Sequence, residues 1–133
     1  MKNKVFIIAE LSANHGNSLK TALKTVEAAA QIGADAIKLQ TYKADTITLD
    51  LDNEDFTVSG GTIWDGTNYY SLYKKAHTPW EWHKKLFDVA NEEGLVCFSS
   101  PFDFTAVDFL EKLNCPAYKI ASFEITDIPL IEY

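Results

Sequence analysis

The sequence predicts an α/β fold of parallel strand–helix units, and three observations carry that prediction. Short apolar runs alternate with amphipathic stretches of helical period. Helix start and stop signals bracket the amphipathic stretches. Polar side chains gather where the apolar runs end, at the carboxyl end of each strand, which is where α/β folds build their sites.

The elements follow in order. Residues 4–10, "KVFIIAE", read as a strand that ends on a carboxylate, Glu10. Residues 18–32 read as a helix, with Leu19, Leu23, Val26 and Ala30 at helical spacing and Gly33 suited to a left-handed stop. "ADAIKLQT" (34–41) is a second strand. "TPWEWHKKLFDVANEEG" reads as a helix with Thr78 as N-cap, Pro79 at the first helical position, Glu81 closing a capping box, and an end at Gly94. "LVCFSS" (95–100) is a third strand, and Asp103 caps a third helix holding Val107, Leu110 and Leu113. "PAYKIAS" (116–122) reads as a fourth strand.

Two architectures fit this alternation: an open flavodoxin-like sheet, or part of a TIM (β/α)8 barrel. A barrel takes about 250 residues, so the 133 residues here would hold about half of one. Residues 42–77 break the rhythm as an insertion between the second strand and the second helix. Connections beyond ~12–15 residues are usually functional or disordered, and Trp64, Tyr69, Tyr70 and Tyr73 argue against disorder. The run "DFTVSGGTIWDG" alternates enough for a small hairpin. The insertion reads as a lid or interface element over the strand ends, or as a purely structural hairpin.

Composition narrows the function classes. The formal charge is −7, and all twelve basic residues are lysines with no basic cluster, so nucleic acid and anionic membrane are unsuitable partners. The apolar run at the start is shorter than the ~7–15 residues of a signal-peptide core, and no stretch is long enough to span a bilayer. Cys97 and Cys115 form neither a disulfide framework nor a zinc motif and read as buried reduced thiols in a cytoplasmic protein.

The strand ends hold the candidate chemistry. Parallel strands covered on both faces should be nearly all apolar. Yet in the second strand Ala36, Lys38 and Gln40 share one face, while Ile37, Leu39 and Thr41 suit the helix layer. A buried lysine needs an anion. Lys119 repeats the device between Tyr118 and Ile120, Ser99 and Ser100 end the third strand, and Ser122 and Glu124 follow the fourth. Two lysines, several hydroxyls and nearby helix N-termini suit a phosphate or carboxylate. The blander reading makes Lys38 and Lys119 structural ion pairs with Glu10 and Glu124. Neither serine sits in a G-x-S-x-G elbow. His83 is expected at the surface of its helix and His77 in a loop. His15, after the first strand, is a candidate for the site. No histidine pair has metal-ligand spacing.

The segments "AELSANHGNSL", "GADAIKLQTY", "TPWEWHKKLF", "FSSPFD", "AVDFLEKL" and "PAYKIASFEITDIPLI", in this order, resemble the N-acetylneuraminate synthase family. "ELSANH" and "GGTIWDG" look most like its pseudaminic acid synthase branch. The resemblance implies a (β/α)8 barrel followed by a small antifreeze-like domain, in a domain-swapped homodimer. The 133 residues would be the N-terminal half of the barrel, with the rest absent. It implies condensation of phosphoenolpyruvate with an open-chain N-acetylated amino sugar, a 2,4-diacetamido-2,4,6-trideoxyhexose in that branch, to give a nonulosonic acid and phosphate. Carried over motif by motif, Lys38, Ser100, Lys119 and Ser122 would bind phosphoenolpyruvate. Glu10 would face the reacting carbons, Lys38 beside it, Gln40 would touch the sugar, and Glu124 would lie in the same wall. The divalent ion, Mn²⁺ or Mg²⁺, would be held by histidines outside these residues. The alternatives are an N-acetylneuraminate or legionaminate synthase, another barrel enzyme such as a Schiff-base aldolase, or an inactive half-barrel that self-associates.

Overall fold

Three strands pair side by side in the order β1-β2-β3, all parallel: β1 (Ile8–Glu10), β2 (Ala36–Thr41) and β3 (Val96–Pro101). The computed structural model describes residues 5–133, so Lys4, where the predicted first strand begins, lies outside the described residues. The register sets Glu10 beside Lys38, Lys38 beside Phe98, and Gln40 beside Ser100. β1 is shorter than predicted because β2 begins only at Ala36. Upstream, Ile7 is held instead by the Asp35 loop: its N–H donates to the Asp35 carboxylate at 2.9 Å and its carbonyl accepts from the Asp35 amide at 2.8 Å.

The helices are α1 (Leu19–Gln31), α2 (Ala44–Ile47), α3 (Tyr69–Ala76), α4 (Trp80–Glu92), α5 (Phe104–Lys112) and α6 (Ile128–Glu132). Ser18 caps α1 by accepting from the Thr21 amide, and Asp103 caps α5 by accepting from the Thr105 and Ala106 amides. α1, α4 and α5 share one exit. A residue at positive φ follows each (Gly33 at +86°, Gly94 at +78°, Asn114 at +55°), and the next amide reaches back to close the last turn. Those closing bonds run from Ala34 to Ala29, Leu95 to Ala90 and Cys115 to Leu110. Asn114 does the work of glycine here, being among the few side chains that tolerate this region.

Two predicted elements differ. Thr78 does not cap α4. Pro79 holds that position, and the buried Thr78 hydroxyl is turned to His15 at 3.4 Å. The fourth strand is a single bridge, Ser99 to Tyr118, with the Lys119 amide donating to the Ser99 carbonyl at 3.0 Å. Pro116 contributes no N–H to a ladder, and among the described residues nothing pairs with the segment's outer side, so one bridge is all that forms.

All three long helices pack on the same face of the sheet. Ala22, Val26 and Ala29 of α1, Leu86, Phe87 and Ala90 of α4, and Leu110 of α5 enclose Ile37, Leu39 and Cys97. Each buried Val, Leu, Ile or Phe among them stabilises the fold by about 1.5–3 kcal/mol. A doubly wound sheet carries helices on both faces. Helices on one face only, with polar side chains on the other, are the wall of a barrel. The fold is therefore a parallel α/β arrangement consistent with part of a (β/α)8 barrel. Among the described residues no helix is long and apolar enough to cross a membrane. Both cysteines are free thiols, and burial raises their pKa values.

Candidate active site

Strand alternation puts Glu10, Lys38, Gln40 and Ser100 on the inner face, away from the helices. Lys38 is only 6% exposed, yet its ammonium meets Glu10 Oε1 at 3.4 Å, and the Glu10 side chain is more than half exposed. Thus an almost buried cation leans on a solvated carboxylate at the open end of the strand. Two rungs along, Gln40 lies opposite Ser100, whose Oγ is buried without a hydrogen-bond partner among the described residues. The bridge at Tyr118 turns that ring to the helix side, where its hydroxyl donates to Glu111, and leaves Lys119 on the inner side, next in register to Ser100. Lys119 and Ser122 are exposed, so the covered fourth strand expected around Lys119 is not formed here. Glu124 is half-buried, and its Oε2 has no hydrogen-bond partner among the described residues.

The paired serines divide. Ser100 faces inward. Ser99 faces the helices and bonds Thr41 Oγ1 at 2.7 Å, which in turn bonds His83 Nε2 at 2.9 Å. His83 is fully buried, not at the surface as predicted, because its position on α4 meets the sheet. Its Nδ1 lies 3.2 Å from the Pro79 carbonyl, an acceptor only, so Nδ1 bears the proton and Nε2 accepts from Thr41. Ser99 then donates to Thr41, and every member of this network is satisfied. Burial lowers the His83 pKa to about 4. The folded value lies below the unfolded 6.5, so protons favour the unfolded chain as pH falls. Stability from this group is full above pH 6.5 and is lost progressively toward pH 4. We expect ~3 kcal/mol of acid sensitivity from this source. Melting curves between pH 4 and 7.5 should show it, and His83→Asn should flatten that part of the profile.

His15 is buried against Trp82, with ring centroids 5.4 Å apart. Its Nδ1 accepts from the Asn17 amide at 3.1 Å and its Nε2 faces Thr78. Burial, then the charge of His77, lowers its pKa. Its contacts tie the loop after β1 to α4. The site thus brings together Glu10 with Lys38, Gln40 with Ser100, and Lys119 beside Ser100. His15 stands apart, engaged with the second helix of the core.

The insertion holds α2, α3 and a loop. The predicted hairpin is one antiparallel bridge, Thr57 to Asn68, because the Asp65 carboxylate gathers the amides of Gly61 and Thr62 at 2.9 Å and folds the tip on itself. These bonds lower the Asp65 pKa. Tyr42 meets both Tyr73 and Phe102; of the three, the sequence singles out only Tyr73, among the aromatic residues of the insertion. The available signal was parity, since Tyr42 follows Lys38 and Gln40, and Phe102 follows Phe98 and Ser100, at intervals of two. Among the described residues no group of three or more His, Cys, Asp or Glu is arranged to hold a metal ion.

A family model for the NeuB family matches residues 25–133. The chain belongs to the NeuB family. It is 56% identical over 124 residues to a pseudaminic acid synthase of Campylobacter jejuni, covering 93% of this chain and 36% of that protein. It is 52% identical to the pseudaminic acid synthase of Helicobacter pylori, covering 95% of this chain and 37% of that one. An N,N'-diacetyllegionaminic acid synthase of Legionella pneumophila is 35% identical. Among solved structures, an N-acetylneuraminic acid synthetase from Leptospira borgpetersenii, in complex with citrate, superposes with a TM-score of 0.79 at 30% identity, covering 98% of this chain and 40% of that one. The chain thus spans about a third of the length of the curated relatives it matches.

Proposed function

We propose that the NeuB-family protein carrying this chain condenses phosphoenolpyruvate with an open-chain 2,4-diacetamido-2,4,6-trideoxyhexose, giving pseudaminic acid and phosphate. The observation that carries this reading is Lys38: a buried ammonium on the inner face, facing a carboxylate that is itself solvated, beside a buried hydroxyl with no partner among the described residues. Such a cation is a ready anchor for a second anion. The higher identity to pseudaminic than to legionaminic acid synthases favours the diacetamido-trideoxy sugar.

In this scheme Lys38, Ser100, Lys119 and Ser122 hold the phosphate and carboxylate, and Gln40 and Glu124 bind the sugar. The methylene carbon of phosphoenolpyruvate attacks the sugar aldehyde. Positive charge develops at the adjacent carbon, water adds there, and phosphate leaves by C–O cleavage. In this scheme Glu10 stabilises that charge and orients or deprotonates the water. His15 supports the wall behind it. The divalent ion, Mn²⁺ or Mg²⁺, and the homodimer belong to the proposal for the whole protein, with the ion's ligands outside this chain.

The test is phosphate release by the full-length protein. It is expected with the diacetamido-trideoxy sugar, to need a divalent ion, and to stop on chelation. Equal or better turnover with N-acetylmannosamine would move the protein to the sialic acid branch. Inactivation by borohydride with a keto substrate would replace the scheme with Schiff-base chemistry.

A further inference from the structure

The inner face of the sheet is layered along the strand direction. The lowest row is ionic, Glu10 with Lys38. The next is polar, Gln40 opposite Ser100. Where β2 and β3 end, the same parity delivers Tyr42 and Phe102, whose rings meet edge to face at 5.6 Å. The insertion adds a third ring: Tyr73 of α3 meets Tyr42 edge to face at 5.9 Å. Tyr42 is 6% exposed, whereas Tyr73 and Phe102 are each half-buried and keep open surface.

This wall is held from behind. Tyr69 stacks on Tyr73, and the Tyr70 hydroxyl donates to Asp45 of α2 at 2.7 Å, pinning α3 over the strand ends. The Trp80 indole N–H donates to the Tyr42 carbonyl at 3.3 Å. Burial pushes the Tyr42 phenol up to about 12. Burial, then Tyr69 and the nearby Glu124 charge, raises Tyr73 as well. The rings are therefore neutral at pH 7. Glu124 stands within reach of Tyr73's field, and its Oε2 is buried without a hydrogen-bond partner among the described residues.

We propose that Tyr73 and Phe102, backed by the buried Tyr42, form a selectivity wall for the acceptor sugar, packing against its acetamido methyls and its C6 methyl beyond the anion-binding rows. The proposal rests on the synthase reading and deepens it. Anion anchoring belongs to the lysine row; the choice between a methyl-rich, deoxygenated sugar and a hydroxylated one belongs to the aromatic row. An apolar wall gains from a methyl and gains nothing from a hydroxymethyl that must give up water. Tyr42 and Phe102 directly follow β2 and β3, so α3 of the insertion sets only the third side through Tyr73. That makes Tyr73 the position at which the wall can be altered without touching the sheet.

The experiment compares the full-length protein with Tyr73→Ala, Tyr73→Leu and Tyr73→Phe, using the diacetamido-trideoxy sugar and N-acetylmannosamine in parallel. A hydrophobic pocket contact is worth ~10–200-fold in discrimination. Tyr73→Ala should therefore raise the KM for the diacetamido-trideoxy sugar by at least about 10-fold and shrink its preference over N-acetylmannosamine by a similar factor. The KM for phosphoenolpyruvate should hold, and Tyr73→Phe should stay within a few-fold of wild type. Should Tyr73→Ala melt below the assay temperature, Tyr73→Leu, which keeps bulk but not the flat ring, carries the same comparison. An unchanged preference in a folded variant, or equal losses for both substrates, overturns the wall. Calorimetric binding of the sugars separates the two readings. A wild-type protein that binds the diacetamido-trideoxy sugar and loses it on Tyr73→Ala, but releases no phosphate, keeps the wall and removes the reaction. One that binds neither sugar removes both.

Discussion

Glu10→Gln in the full-length protein is expected to slow turnover by ~10²–10⁴-fold, the usual worth of a positioned acid–base group. The swap keeps the shape of the side chain and removes its charge. In β1 the backbone of Glu10 is fixed by its register with Lys38, and the side chain emerges more than half exposed at the strand's end. The amide can still fill that position, and its oxygen can still accept from the Lys38 ammonium. The pair is not an exposed one, because the Lys38 side chain is only 7% exposed, so the swap is expected to lower the melting temperature modestly while the chain still folds. What the amide cannot do is stabilise a cationic carbon or take a proton from water. Phosphoenolpyruvate affinity should hold, because the contacts proposed for the anion are lysines and hydroxyls and a neutral neighbour repels it less. Steady-state phosphate release and a binding titration on one preparation decide the matter. Turnover within a few-fold of wild type would make Glu10 a strand terminus and nothing more.

Why some of this was legible in the sequence, and some was not, follows from how local each signal is. The strand–helix alternation, the cap at Asp103 and the stops at Gly33 and Gly94 are set by residues within one turn of each other, and all appear in the structure. The split of β2 into a helix face and a polar face also holds, because the period of two is a property of the strand alone. The failures lie where a partner far along the chain decides. Thr78 has the chemistry of a cap, yet its hydroxyl is turned to His15, 63 positions away. His83 is expected from the sequence at the surface of its helix. It is buried because Thr41 and Ser99 come to meet it across the sheet. Residues 116–122 have a strand's composition, but a strand needs neighbours, and one bridge to Ser99 is all that pairs with them among the described residues. The ionic rows of the site could be read from lysines in the wrong place. Of the aromatic row, Tyr42 and Phe102 carried only the period-of-two signal, and the place of Tyr73 was not legible because it is set when α3 folds back over Tyr42.

Lys38→Met should weaken phosphoenolpyruvate binding by roughly 10- to 150-fold, the equivalent of ~1.5–3 kcal/mol for a hydrogen bond to a charged group. Methionine keeps the length of the side chain and fills the same volume on the inner face. Its effect on stability separates two accounts of why a lysine is buried there. If Lys38 served mainly to pair with Glu10, breaking the pair would matter only as far as Glu10 depended on it. Glu10 is solvated and does not strand a buried charge when its partner leaves. The lysine itself is 6% exposed, so its removal relieves a desolvated ammonium. Replacing buried ionic groups by apolar ones of similar volume is often neutral or stabilising by ~1–4 kcal/mol. The melting temperature of Lys38→Met should therefore hold or rise while affinity falls. A residue whose removal leaves the fold no worse and the ligand site far weaker is retained for the ligand. The opposite pattern, a lower melting temperature with phosphoenolpyruvate affinity intact, would make Lys38 a structural cation and would take the anion site away from this face of the sheet.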